Sequence, residues 1–199
     1  MDNVLAFKRK LRPPRKRKST KPRNYLREDE IEAMIDACKC NRYAVRDQLV
    51  ILLSFRHGLR SIELVGLLWS DIDLDGRVMH IRRAKGSTDG AHPLSNREVI
   101  LLERSRWVPD AKAFVLTTKA RKPMSRRLVR HIVATAGREA GIPFPVSPHM
   151  LRHSCGYWLS DKGADLRVIQ TYLGHVNVQN TTGYVALSAH RYRELYWND

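Results

Sequence analysis

Long apolar runs are absent from this sequence of 199 residues. The longest uninterrupted ones, residues 49–53 and 64–69, fall far short of the roughly 20 residues that a membrane-spanning helix needs. The first residues also lack the apolar stretch of a secretory signal, because basic side chains begin at Lys8. We therefore expect a cytoplasmic protein without a membrane span.

Cysteine is scarce as well, since Cys38, Cys40 and Cys155 are the only three. An odd number does not build a framework of disulfides, and a C-x-C pair without a second pair is not the usual pattern of a zinc site. The sequence therefore predicts reduced thiols, and we expect neither a metal site nor a cofactor.

Acidic residues are few relative to basic ones. The 20 Asp and Glu residues against 36 Lys and Arg leave a formal net charge of +16 and a sequence pI of about 10.3. Hydrophobic residues still make up 43% of the chain, which is enough for a core and excludes a wholly disordered basic protein. The surplus of positive charge favours a polyanionic partner such as nucleic acid, an anionic membrane face or an acidic protein.

Residues 1–24 hold much of this charge, because ten basic residues against the single acid Asp2 give them a net charge of +9. The rest of the chain carries the remaining +7. With three prolines and little apolar periodicity, the segment is predicted to be a flexible basic arm that contacts DNA phosphates. A solubilising tail, or a look-alike of a nuclear-localisation signal, is the alternative. The candidate DNA contacts are Lys8, Arg9, Lys10, Arg15, Lys16, Arg17 and Lys18.

Residues 25–199 are predicted to form one mainly α domain with a small antiparallel β-sheet (α+β). The helical pattern is strongest where apolar residues repeat at spacings of three and four and where capping residues precede them. Predicted helices cover a segment around 31–38, where Ile31, Met34, Ile35 and Cys38 repeat at helical spacing, then residues 44–57, a segment from 61, and 95–106, 125–140, 148–163, 165–174 and 191–197. Predicted strands cover 71–74 and 77–82, on either side of an Asp75-Gly76 turn, and 91–94.

Four places carry side chains suited to phosphate chemistry: Arg60, Lys85, the segment 149–153, and the segment 173–184. Each alone has an ordinary structural explanation, such as a surface ion pair or a core aromatic residue. Together they contain no pair of carboxylates and no metal-ligand cluster, but they do contain guanidinium groups that match phosphate oxygens. A tyrosine can act as a nucleophile on phosphorus, and a lysine or histidine can protonate a departing oxygen.

The sequence resembles the tyrosine recombinases, or phage-type integrases, over nearly all of residues 25–199. The most specific segments are FRHGLRSIELVGLLWSDIDL (55–74) and PHMLRHSCGYWLSDKGADLRVIQTYLGHVNVQNTTGY (148–184). Within the family it is most similar to the short bacterial recombinases that invert a fimbrial promoter segment, and AHPLSNREV (91–99) adds to that match. The resemblance implies the catalytic domain of a site-specific DNA recombinase without a separate N-terminal core-binding domain. It would cut and rejoin duplex DNA through a 3′-phosphotyrosyl intermediate, for inversion or for integration and excision.

The resemblance also implies roles for individual residues. Arg60 and Arg152 would clamp the scissile phosphate, and His175 would hydrogen-bond to it. Glu63 fits the supporting acid that orients these groups.

The proton transfers and the nucleophile follow from the same resemblance. His149 would handle the proton of the nucleophile, Lys85 would protonate the leaving 5′ oxygen, and Tyr184 would attack the phosphorus. A C-terminal helix over residues 191–197 would dock onto a neighbouring subunit or pack on its own domain.

The implied partners are double-stranded DNA at inverted-repeat sites and three further copies of the chain, in a homotetramer that passes through a Holliday junction. A host DNA-bending protein could assist, and the protein would be associated with the bacterial nucleoid. Further candidate DNA contacts near the sheet and the following helix are Arg82, Arg83, Arg121, Lys122, Arg126, Arg127, Arg130 and His131.

Two other functions remain alternatives. A non-enzymatic DNA-binding transcriptional regulator is one, because residues 165–184 can pass for a helix-turn-helix, but it leaves Arg60 and His149 without a role. A type IB topoisomerase shares the chemistry, but the Leu-Gly-His segment and the small size of the chain favour recombination.

Overall fold

A computed structural model describes residues 23–83, 87–106, 110–177 and 179–185. Its helices are α1 (Glu28–Ala37), α2 (Ala44–Arg56), α3 (Ser61–Val65), α4 (Asn96–Ser105), α5 (Arg126–Glu139), α6 (Pro148–Asp161), α7 (Leu166–Leu173) and α8 (Gln179–Val185). Its strands are β1 (Ile72–Asp73), β2 (Val78–Ile81) and β3 (Gly90–Pro93), and short 3-10 turns cover Cys38–Cys40 and Trp69–Asp71. The prediction of a mainly α domain with a small antiparallel sheet is confirmed.

Helix α2 is the centre of the core. Residues 49–53 form an apolar run that is fully buried, because α2 contacts α1, α4, α5 and α6 on its different sides. A helix that is apolar on most of its faces is stable only in such a position. As a result, the C-terminal end of α2 emerges in the middle of the domain, beside the ends of other elements.

The three strands are antiparallel in the order β1-β2-β3, and Met79 of β2 pairs with Ile72 and His92. The turn between β1 and β2 is longer than the predicted Asp75-Gly76 turn, because the strands end at Asp73 and resume at Val78. Its left-handed residue is Arg77, with φ +53°, and the Gly76 amide donates to Asp73 Oδ1 at 2.8 Å.

The predicted helix caps are confirmed. Ser95 Oγ accepts a hydrogen bond from the Glu98 amide, Ser125 Oγ accepts one from Leu128, and Asp165 Oδ1 accepts one from Arg167. Gly174 ends α7 in the predicted left-handed conformation, with φ +65°.

Some predictions lie outside the described residues: the flexible arm up to residue 22, Lys85, and the C-terminal helix over 191–197. Arg23, near the end of the predicted arm, forms an ion pair with Glu30 at the start of α1. Within the described part of the chain, no helix is both long enough and apolar enough to cross a bilayer.

Candidate active site

The candidate site lies where the C-terminal ends of α2 and α7 meet the face of α6. Gly58, just after α2, has φ +57°, and a Cβ added to it would lie 2.4 Å from Leu173 Cδ2 at the end of α7. Only glycine satisfies both the left-handed backbone and this close approach. The two helix ends therefore present their last carbonyl groups side by side.

Arg60 is held at the start of α3 by Glu63. Its backbone amide donates to Glu63 Oε2 at 2.8 Å, and its Nη1 donates to Glu63 Oε1 at 2.7 Å and to Ser87 Oγ at 3.1 Å. The Glu63 side chain is almost fully buried, while that of Arg60 keeps 32% of its surface exposed. The buried carboxylate thus fixes one edge of the guanidinium, which remains accessible from solvent.

Arg152 is a buried guanidinium, with 2% of the residue exposed. It donates to the carbonyl oxygen of Gly58 and to that of Leu173, the latter at 2.6 Å. Burial lowers its pKa to about 10, with help from the nearby cations Arg60 and Arg83, so the side chain is still positively charged at neutral pH. The two helix ends therefore hold a positive charge inside the domain.

The sequence predicted that Arg83 contacts DNA phosphate, but its side chain is wholly buried in the structure. It donates to Glu63 Oε2 at 3.0 Å, to His57 O at 3.2 Å and to Tyr172 O at 2.5 Å. That prediction is wrong for Arg83. The sequence did contain a signal for the burial of Arg83. Side chains alternate between the two faces of a strand, and Met79 and Ile81 of β2 point inward, so residue 83 is expected on the same inward face.

Arg60, His149 and Arg152 line one cavity of about 250 Å³. Arg126 and Arg130, which lie one helical turn apart on α5, line it too. Burial lowers the pKa of His149, and the charges of Arg152 and Arg60 lower it further. A small cavity bordered by four guanidinium groups and a neutral imidazole is suited to an anion such as a phosphodiester.

Tyr184 is buried, with only 4% of its surface exposed, and it is linked to the cavity residue His149 through His153. Its hydroxyl oxygen is 2.9 Å from His153 Nδ1, its ring lies against Gly156, and the ring of His175 stacks near it at 6.4 Å between centroids. Burial raises the pKa of Tyr184 to about 12, so the phenol is protonated at neutral pH. A nucleophilic tyrosine in this position needs a neighbouring group to accept its proton.

His153 is the residue of this site that the sequence did not reveal. Burial, with the neighbouring His149 and Arg152, lowers its pKa to about 4, so its neutral imidazole can accept the hydrogen of the Tyr184 hydroxyl. The sequence signal for His153 was its spacing of four residues from His149, which places both residues on one face of a helix. In the structure their rings lie 4.5 Å apart.

His175 follows the left-handed Gly174, and its Nδ1 lies 3.0 Å from the hydroxyl oxygen of the buried Thr181. Burial, followed by the charge of Arg152, lowers its pKa to about 4. Thr88 O lies 3.0 Å from where a Cβ of Gly174 would stand, and Ser87 contacts Arg60, so the segment that follows Lys85 reaches the site.

The structure thus brings together most of the residues that the sequence singled out. Those around the cavity or the tyrosine are Arg60, Glu63, His149, Arg152, His175 and Tyr184. Lys85 and the arm residues from Lys8 to Lys18 lie outside the described residues. Arg127 is exposed on α5, and Arg82 is paired with Asp71 at 2.7 Å. No three His, Cys, Asp or Glu side chains of the described residues are grouped as metal ligands.

Replacing Gly156 with alanine is expected to displace the tyrosine. The new methyl group would lie 2.6 to 2.8 Å from three atoms of the Tyr184 ring, although alanine by itself favours the helix. If Tyr184 is the nucleophile, a shift of about 1 Å lowers the rate of DNA cleavage by ~100-fold. Rates of covalent DNA attachment and affinity for the same DNA would be measured side by side.

Gly183→Ala is the matched control for Gly156→Ala. Gly183 lies one residue before Tyr184, but among the described residues no atom outside its own stretch of helix lies within 4 Å of its added Cβ. We expect the control to cleave like the wild type. Equal rates for Gly156→Ala and Gly183→Ala would contradict the packing of Tyr184 on α6.

Stability is expected to fall on mild acidification. The folded-state pKa is lowered to about 3 for His92 and to about 4 for His153 and His175, mainly by burial, against an ordinary value of 6.5. The unfolded chain therefore binds more protons below pH 6.5, and the free energy of unfolding decreases from pH 6.5 towards pH 4. Urea unfolding at pH 7.5, 6 and 5 checks this, and His153→Asn should flatten the dependence. A profile that is level over this range would rule out the neutral buried histidines.

The chain belongs to the phage integrase family. The model of that family, described as "Phage integrase family", matches residues 24–191. The fold with its arginines, histidines and tyrosine around one cavity agrees with that match, and the interpretation of the sequence as a tyrosine recombinase is confirmed.

Two relatives are type 1 fimbriae regulatory proteins of Escherichia coli (strain K12). The chain is 38% identical to FimB over 181 residues, which cover 88% of this chain and 90% of FimB. It is 39% identical to FimE over 180 residues, which cover 87% of this chain and 91% of FimE. The crystal structure of XerA recombinase superposes with a TM-score of 0.73 at 28% identity, and covers 86% of this chain and 63% of that one.

Proposed function

We propose that this protein is a site-specific DNA recombinase that cuts and rejoins duplex DNA through a 3′-phosphotyrosyl intermediate. The observation that carries the proposal is the position of Tyr184, whose hydroxyl is hydrogen-bonded to a neutral histidine beside a cavity lined by Arg60 and Arg152. Tyr184 as the nucleophile, His153 as the proton acceptor and the cavity as the phosphate site would then be neighbours. Family membership supports the same conclusion.

The reaction is a transesterification at phosphorus. The oxygen of Tyr184 forms a bond to the scissile phosphorus while the bond to the 5′ oxygen breaks, and one phosphodiester is exchanged for another. The phenol gives its proton to an imidazole, for which His153 is in contact and His149 lies one turn away. Lys85 would protonate the leaving 5′ oxygen. The 5′ hydroxyl of a second strand reverses these steps and releases the tyrosine.

The arginines supply most of the transition-state stabilisation. Negative charge on the phosphate oxygens grows as the tyrosine attacks, and Arg60 and Arg152 are already fixed by Glu63 and by two helix ends. Fixed donors need no reorganisation during the reaction, and one such donor contributes ~10²- to 10³-fold in rate. His175, held by Thr181, would provide a further hydrogen bond to the phosphate.

The proposed partner is double-stranded DNA at an inverted-repeat site. The exposed Arg126, Arg127 and Arg130 of α5 continue the positive surface outward from the cavity, and the arm of residues 1–24 would add phosphate contacts. Residues 25–199 would form the catalytic domain, and a homotetramer would assemble on DNA with the help of a host DNA-bending protein. An enzyme acting on the chromosome belongs in the bacterial cytoplasm, with the nucleoid.

Inversion of a regulatory DNA segment is the outcome that we propose among those available to a recombinase. Identities of 38% and 39% to two type 1 fimbriae regulatory proteins, over about nine tenths of their length, support it. The specific substrate would be a DNA segment bounded by short inverted repeats near the gene for this protein.

Covalent trapping tests the proposal. The purified protein is incubated with a duplex containing such a repeat and a nick just 3′ of the cleavage position, so that the short cleaved fragment diffuses away. We expect a protein–DNA adduct that survives denaturation, with Tyr184 as the modified residue in a digest. A duplex with a scrambled repeat serves as the control. Sequence-specific binding without any adduct would favour a transcriptional regulator, and relaxation of plasmids that lack the repeat would favour a topoisomerase.

A further inference from the structure

A buried polar cluster lies behind the arginines, and the proposed chemistry does not use it. It consists of His57 after α2, His92 on β3 and Glu98 on α4, each with 1% or 2% of its surface exposed. His57 Nε2 lies 2.8 Å from Glu98 Oε1, and His57 Nδ1 lies 3.3 Å from His92 Nδ1. On the other side of His92, the ring of Tyr172 packs against it at 3.9 Å between centroids.

The protonation of this cluster follows from its contacts. Burial acts to raise the pKa of Glu98, but hydrogen bonds from His57 and Ser95 outweigh it and hold this pKa below its usual value. A carboxylate only accepts hydrogen bonds, so His57 Nε2 carries the proton between them. Burial lowers the pKa of His92 to about 3, and its neutral ring shares one hydrogen with His57 Nδ1. The cluster is a polar chain that joins three elements in the interior.

The residues that touch His92 also hold the arginines with their backbones. The carbonyl groups of His57 and Tyr172 both accept from Arg83, at 3.2 and 2.5 Å. The next residue of each segment, Gly58 or Leu173, has a carbonyl group that accepts from Arg152. His92 therefore contacts the end of α2 through the side chain of His57, and the end of α7 through the ring and the backbone of Tyr172. The two guanidinium groups contact the same helix ends through their carbonyl groups.

This arrangement makes the distance between two helix ends important for catalysis. The carbonyl groups at a helix C-terminus carry partial negative charge. The carbonyl groups of His57 and Gly58 at the end of α2, and those of Tyr172 and Leu173 at the end of α7, therefore form the two halves of the binding site for the Arg83 and Arg152 side chains, which we call the arginine seat. If the end of α7 moves relative to the end of α2, the guanidinium of Arg152 loses one of its two acceptors or follows it. Misplacement of a catalytic group by about 1 Å costs ~100-fold in rate.

We propose that His92 is a positioning residue that acts through His57 and Tyr172 to set the place of the Arg152 guanidinium at the scissile phosphate. The inference rests on the proposed function, and it assigns a role to a strand residue that does not touch the DNA.

The test compares His92→Leu, which cannot hydrogen-bond to His57, with His92→Asn, whose amide can reach the position of Nδ1. Covalent attachment is followed in single-turnover experiments on the nicked duplex, and affinity is measured separately. We expect His92→Leu to cleave ~30-fold more slowly, with DNA affinity within ~2-fold of the wild type, and His92→Asn to recover most of the rate. His80→Leu, an exposed histidine in the neighbouring strand, is the matched control and should cleave normally.

A modified phosphate separates positioning from general stability. In a methylphosphonate duplex, a methyl group replaces one charged oxygen of the scissile phosphate, so cleavage depends less on a well-placed guanidinium. The deficit of His92→Leu should shrink to below ~5-fold on this substrate, whereas partial unfolding would reduce both rates equally. Equal deficits on the two substrates, or a wild-type rate for His92→Leu, would overturn the inference. Absence of an adduct with the wild type would overturn the proposed function and the inference with it.

Discussion

Tyr184→Phe is expected to abolish covalent attachment to DNA while leaving the protein folded and able to bind its site. The substitution removes one oxygen atom, and the remaining ring keeps its packing against Gly156 and Tyr157. Loss of the hydrogen bond to His153 costs about 1 kcal/mol of stability. Without the nucleophile no phosphotyrosyl bond can form, so the rate should fall by at least ~10⁴-fold.

The measurement is the denaturation-resistant adduct on the nicked duplex, together with a binding assay on intact duplex. Tyr43→Phe is the matched control, because Tyr43 precedes α2 at the end opposite to His57, and it should react like the wild type. An adduct formed by Tyr184→Phe would show that another residue is the nucleophile. Retention of binding alone, with full regulatory effect in cells, would favour the non-enzymatic alternative.

Arg152→Lys is expected to have the second largest effect, a loss of ~10²- to 10³-fold in cleavage rate. Lysine keeps the positive charge but not the planar fork that serves the carbonyl groups of Gly58 and Leu173 and a phosphate at the same time. Arg152→Ala should lose more activity and also stability, because two buried carbonyl groups lose a charged donor worth about 1.5 to 3 kcal/mol each.

Two measurements separate the roles of Arg152. Single-turnover cleavage reports the phosphate contact, and urea unfolding reports the seat between the helix ends. Added guanidinium at millimolar concentration should partly restore cleavage by Arg152→Ala, since it can enter the vacated site. Arg138→Lys, an exposed change in the last turn of α5, serves as the control. Cleavage by Arg152→Lys at the wild-type rate would remove this residue from the mechanism.

Local signals in the sequence predicted much of the fold. The caps Ser95, Ser125 and Asp165 and the left-handed Gly174 are determined by short-range hydrogen bonds and by backbone sterics, so they could be identified without tertiary information. The boundaries were less accurate: α2 ends at Arg56 and α6 at Asp161, one and two residues before the predicted ends. Helix ends depend on the packing around them as well as on local sequence.

The sequence singled out several residues that the structure brings together, but it indicated little of how they contact one another. The ordered motifs singled out Arg60, Arg152 and Tyr184, because few functions need these residue types in that order. The pairing of Tyr184 with His153, and the burial of Arg83, depend on which faces of α6 and β2 meet other elements. Contacts between residues as far apart in sequence as 83 and 172 leave no local pattern.

By itself, the sequence determined the chemistry and the class of this protein: a strongly basic chain with guanidinium, imidazole and phenol groups in the order of the phage integrase family. Residue types favoured phosphate chemistry, and the resemblance of the motifs to the tyrosine recombinases supplied the class, which the family match confirmed. Only the tertiary structure decided which groups touch. The close approach of Gly58 to Leu173 brings two helix ends together, and their carbonyl groups hold Arg152 and Arg83 as buried, oriented cations, although arginine side chains are mostly exposed in proteins.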